Sequence, residues 1–108
     1  MAELTKEELA LFFIEICVVN VIRGRYENIP LLTDEEKERR KIKMCKNLAL
    51  QERLKKIKFE RVFLPFLEMA EFVELLQPLL KNGKKINDEN FKNWVTIDDC
   101  LRSIINSV

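Results

Sequence analysis

"LTKEELALFFIEICVVNVIRG", residues 4–24, decides the fold. Leu9, Leu11, Phe12, Phe13, Ile14, Ile16, Val18, Val19, Val21 and Ile22 go almost all the way round a helical wheel. Thr5 and Glu8 have the spacing of a capping box, Leu4 and Leu9 that of a hydrophobic staple, and Gly24 marks the end as a left-handed C′ residue. A helix apolar on every side is either the centre of its bundle or shared with a second chain. As a membrane or targeting segment it fails, because Glu3, Glu7 and Glu8 precede it where positive charge is needed. Glu15 and Asn20 interrupt the run, and it is too short to span a bilayer.

Outward from this helix, 108 residues make one domain, 1–108. With 47% apolar and 34% charged residues, two Gly and three Pro, the chain has a globular composition and few sites for tight β-turns, so an all-α fold is expected. Cys17, Cys45 and Cys100 are an odd set without CxxC spacing, and the chain has no His to complete a zinc site. They are expected as buried reduced thiols, which places the protein inside the cell, in cytoplasm or nucleus.

Residues 24–32, "GRYENIPLL", read as a connection, after which Thr33 and Glu36 form a second capping box. The following segment, 37–61, holds eleven of the nineteen Lys and Arg but three of the eighteen acids, a local charge of +8 against −7 elsewhere. Ile42, Cys45, Leu48 and Ala49 fall in one apolar stripe there, whereas Leu50, Leu54 and Ile57 lie on a sector roughly 120–150° away. Without Gly or Pro to mark a break near Asn47 to Leu50, one unbroken helix packing on different partners at its two ends is favoured.

A junction is expected at about Phe63–Pro65 with a helix starting there, Pro65 in its first turn, and from Phe66 onward Met69, Phe72, Val73, Leu76, Leu79 and Leu80 make a wide apolar face. Glu68, Glu71 and Glu74 would form its solvated acidic face, and Pro78 and Asn82-Gly83 would end it. Asn87 caps a short helix with an Ile86 to Phe91 staple and Trp94 as anchor, and Thr96 with Asp99 caps the last helix. The expectation is a single-domain bundle of four to five helices. The apolar N-terminal helix is central, the helix from 34 crosses it, and a short C-terminal helix pair closes the bundle.

The functional inventory argues against an enzyme: no His, no G-x-S-x-G elbow and no Gly-rich phosphate loop. No cofactor or metal is expected, since Glu68, Glu71 and Glu74 would face away from the core. The C-terminal pair has a helix-turn-helix outline, but its reader helix would present Asp98 and Asp99 with one Arg102, which repels phosphate. What remains is the basic face of Arg39, Arg40, Lys43 and Lys46. In the bland case it only solubilises, through Glu36–Arg40 and Glu52–Lys56 pairs.

The functional expectation is a non-enzymatic protein-protein interaction module, an adaptor or regulator. It would bind an acidic protein partner through these four residues and self-associate as a homodimer through exposed apolar residues such as Phe12, Phe13 and Leu67. The alternative is a nucleic-acid-associated regulator using the basic helix 37–61 on phosphates. Against it, Phe59 is the one aromatic there to stack on bases.

Overall fold

Lys6–Arg23 is one α-helix, α1, and the axis around which the other elements are arranged. In this computed structural model, residues 3–65 and 67–108 are described, Asn82 by its backbone alone. The remaining helices are α2 (Asp34–Met44), α3 (Leu48–Lys55), α4 (Phe59–Val62), α5 (Leu67–Leu76), α6 (Asp88–Phe91) and α7 (Ile97–Ile104). The fold is all-α, with, among the described residues, five helices longer than a single turn and two of one turn each. α2, α3, α5 and α7 all pack on α1, and α7 also packs on α3. The radius of gyration, 13.3 Å, is that of one compact domain of this length, for which about 13 Å is expected.

α1 is central because its apolar residues point every way. Leu11, Phe12, Ile14, Ile16, Cys17, Val18 and Val21 are all buried, on different sides of the helix. Its capping box is present, with the Glu8 amide donating to Thr5 Oγ1 (3.1 Å) and the Thr5 amide to Glu8 Oε1 (3.0 Å). Gly24, however, is right-handed, at φ −63°. A Cβ there would sit 3.3 Å from the carbonyl oxygens of Asn20 and Val21, so the residue is small for close approach rather than for a left-handed turn. Asn20, an interruption of the apolar run in sequence, accepts the Leu32 amide (2.8 Å) and ties the connection back onto α1.

The expected unbroken helix over the basic segment does not form. It divides into α2, α3 and the one-turn α4. α2 ends at Met44, Cys45 is extended, Lys46 takes φ +57°, and Asn47 caps α3 by accepting the Leu50 amide (3.1 Å). The cause is Glu8. Its Oε2 accepts the Lys46 amide (2.7 Å) and Gln51 Nε2 (2.8 Å), while Gln51 Nε2 also donates to the Met44 carbonyl (2.9 Å). A buried carboxylate with these donors stabilises a left-handed residue that would otherwise be strained.

The break also overturns the expected stripe of Ile42, Cys45, Leu48 and Ala49. Met44 is fully buried instead, Cys45 is half-buried, and Ile42, Leu48 and Ala49 are exposed. Ile42 and Met44 point to opposite sides of α2, and the unbranched thioether fills the core gap more easily. Lys37 and Lys41 lie half-buried on the Met44 side, their stems covering apolar surface.

α4 exists because Phe59 and Phe63, four residues apart, both reach Phe72 on α5. The three ring centroids lie 5.4–5.6 Å from one another. The Phe59 amide donates to the Val95 carbonyl and the Ile97 amide to the Ile57 carbonyl, both at 2.9 Å, pinning the start of α4 to the cap of α7. The helix expected to start at Phe63–Pro65 does not start there: Phe63 is extended at the end of α4, the Leu64 amide donates to Glu68, and Phe66 lies outside the described residues; α5 is described from Leu67 and passes at Gln77 into a 3-10 turn containing Pro78.

Glu68 corrects the picture of a uniformly solvated acidic face. It is buried, accepts Arg25 Nε (2.6 Å) and the Leu64 amide (2.6 Å), and pairs again with Arg25 Nη2. Glu71 and Glu74 are exposed. Thr96 and Asp99 cap α7 as expected, and Asn87 with Asn90 caps α6. Of the C-terminal pair, α7 supplies the packing on α1, while α6 leans through Phe91 towards Trp94, their rings 6.4 Å apart.

Candidate partner-binding face

α2 presents the candidate face, and each of its four expected contact residues has a different situation. Arg40 is already engaged, with Nη1 3.2 Å from Glu15 Oε1 on α1. Arg39 and Lys43 are exposed and have no ion-pair partner among the described residues. Lys46 is exposed too, but on the left-handed turn rather than on the helix. Glu36 does not pair with Arg40; it takes Arg23 (3.0 Å) and the Thr33 cap. The Arg23 guanidinium, ahead of the Thr33 amide, holds its carboxyl below the ordinary carboxylate range. Likewise Glu52 pairs with Lys55, not with Lys56, and Lys55 reaches Glu7 at 2.6 Å.

An open cleft of about 360 Å³ lies between α1, α2 and α3, lined by Glu15, Glu36, Arg39, Arg40, Lys43 and Leu50. Both of its acids are satisfied by arginines, so Arg39 and Lys43 are left as surplus positive charge at its edge. On the same helix Ile42 is 58% exposed, one turn from Arg39 and next to Lys43, with the exposed Glu38 on its other side; Leu48, at the start of α3, is 71% exposed. Large apolar residues beside unpaired cations have the anatomy of a protein contact, with an apolar centre and a charged rim.

The apolar contact residues expected from sequence fare unequally. Phe12 is 7% exposed and Phe13 half-buried, their rings 5.9 Å apart, so Phe12 is core and not surface. α1 spends its all-round apolarity on neighbours within the chain. Leu67 is 76% exposed, but on α5, away from the α2 cleft lining. Ile42 and Leu48 were missed because the wheel assigned them to the core. Their only sequence signal was that Met44 could replace them there.

The perturbed acids elsewhere are occupied structurally. The backbone amides of Thr5 and Lys46 hold the Glu8 carboxyl below its ordinary range, Arg25 does so for Glu68, and the Thr96 and Val95 amides for Asp99. Burial pushes the Cys17 thiol up to about 12 and the Cys100 thiol well above its ordinary value. With thiolate as the reactive form, alkylation of the native protein at neutral pH should label Cys45 alone, and denaturation should expose all three. Mass spectrometry of the labelled chain checks this; modification of Cys17 or Cys100 without unfolding would contradict the packing of α1 on α7.

Among the described residues, no three Cys, Asp or Glu side chains are grouped as metal ligands, and no helix is long and apolar enough to cross a membrane. No family model, curated protein or solved structure matches this chain.

Proposed function

We propose that this chain is a non-enzymatic protein-interaction module, an adaptor or regulator, that docks an acidic partner protein on the outer face of α2. The supporting observation is the exposure of Ile42 on the same helix as the exposed Arg39 and Lys43, which have no ion-pair partner among the described residues. A phosphate backbone needs only the cations, whereas an amphipathic acidic helix needs both. A non-enzymatic role fits a chain without His whose perturbed carboxylates are taken up by caps and ion pairs. Three free cysteines fit a reducing, intracellular place of action.

The test uses a synthetic amphipathic helix with Glu and Leu on one face, set against duplex DNA and single-stranded RNA over a salt series. Ile42→Ala should weaken peptide binding about tenfold, the scale of one buried interface anchor, and Arg39→Glu with Lys43→Glu should abolish it. Nucleic-acid affinity that falls steeply with salt and ignores Ile42→Ala would replace this function with the phosphate-binding alternative.

A further inference from the structure

Whatever α2 binds, we infer that α3 is a latched flap: it opens as a unit ahead of the rest of the fold, and the first turn of α1 holds it shut. Of the eight residues of α3 one, Gln51, is buried. α7 is equally long and buries Ile97, Cys100, Leu101 and Ile104. Along α3, Leu48 is exposed, Leu50 is half-buried, and Leu54 packs against the core but stays half-buried too. α3 thus lies on α1 and α7 without fully burying an apolar side chain. Lifting it breaks chiefly polar contacts, which water replaces far better than it replaces apolar burial.

Those polar contacts converge on one short stretch, residues 3–8. Glu8 Oε2 accepts the Lys46 amide (2.7 Å) and Gln51 Nε2 (2.8 Å), Lys55 Nζ lies 2.6 Å from Glu7 Oε1, and Cys45 Sγ donates to the Glu3 carbonyl (3.6 Å). They grip the turn before α3, its middle and its last residue. The turn itself favours release, because Lys46 is held at φ +57° and lifting α3 frees it from the left-handed region. Both ends of the flap are tethered. Before it, Met44 is fully buried; after it, the Phe59 amide donates to the Val95 carbonyl and the Ile97 amide to the Ile57 carbonyl. The moving part is therefore 45–56, between two fixed points. Leu50 is one wall of the cleft between α1, α2 and α3, so opening the flap widens that cleft.

Amide hydrogen exchange of the full chain, followed residue by residue by NMR, tests this, with circular dichroism confirming that each variant is folded. In the wild type the α3 amides should be protected at least about tenfold less than those of α7. Ile104→Val removes one methylene from α7 and leaves the latch intact. It should speed exchange in α1 and α7 while leaving α3 unchanged, because α3 exchanges through an opening in which Ile104 stays packed. Glu8→Gln weakens the latch and should speed α3 exchange about tenfold. Gln51→Ala, which leaves the Thr5–Glu8 cap of α1 in place, should speed it as well.

Equal protection of α3 and α7 in the wild type, or an α3 that responds to Ile104→Val as α7 does, would mean that α3 opens only with the whole domain and would overturn the inference. An α3 that is weakly protected but unmoved by both latch variants would overturn it too, since Glu8 would then not be what holds the flap.

Discussion

Replacing Glu8 by Ala should destabilise the fold by about 3 kcal/mol, the loss expected when a buried carboxylate serving several donors is removed. The side chain caps α1 at Thr5, holds the left-handed Lys46 by its amide, and receives Gln51 Nε2. Ala leaves these donors without an acceptor and removes the reason for α2 to stop at Met44. Glu8→Gln keeps an acceptor oxygen but loses the charge, and should cost about half as much. Chemical denaturation followed by circular dichroism measures both.

pH gives an independent check. The Glu8 carboxyl is held below its ordinary value of 4.5 in the folded protein, by the Thr5 and Lys46 amides first. A lowered folded value means stability that is fully present above the unfolded value and is lost as pH falls through the folded one. The gap between wild type and Glu8→Gln should therefore be constant near neutrality and narrow below pH 4.5. Glu68 and Asp99, lowered in the same direction, add to the acid sensitivity of both proteins alike. A gap that persists unchanged into acid would mean that the ionised form of Glu8 does not hold the turn.

What could be seen in advance divides by range along the chain. The Thr5–Glu8, Thr33–Glu36 and Thr96–Asp99 boxes are three-residue devices, and all three form. The centrality of α1 followed from its apolarity on every side. The division of the basic segment did not, because the group that fixes Lys46 lies 38 positions away. Asn47 is a cap-type residue, but with no Gly or Pro near it and Glu8 far off in the chain the pattern favoured a continuous helix.

Glu68 shows the same limit. Its spacing with Glu71 and Glu74 marks one face, yet Arg25, 43 positions away, draws it into the protein and leaves the other two outside. For the candidate face, the cations were legible as charge. The exposure of Ile42 depended on Met44 taking the core position.

Phe72→Ala should be the most damaging single substitution, at about 3–5 kcal/mol, because it empties a fully buried site at which α5 meets both ends of α4. Among the described residues, Phe72 is the ring that joins α5 to α4, and α4, a single turn, has no side-chain cap of its own. A domain of this size has about 5–15 kcal/mol in total, so the variant should melt on the order of 15–25 °C lower or fail to fold. Phe72→Leu retains most of the apolar volume and should keep the protein folded with a smaller loss. Phe63→Ala should cost less than Phe59→Ala. Phe63 lies where α4 has already ended, whereas Phe59 also carries the amide bonded to Val95 at the cap of α7. Thermal melts of the four variants give the order. If Phe63→Ala were instead the worst, α4 would be held chiefly by its C-terminal end, and the link from Phe59 to α7 would contribute little to the fold.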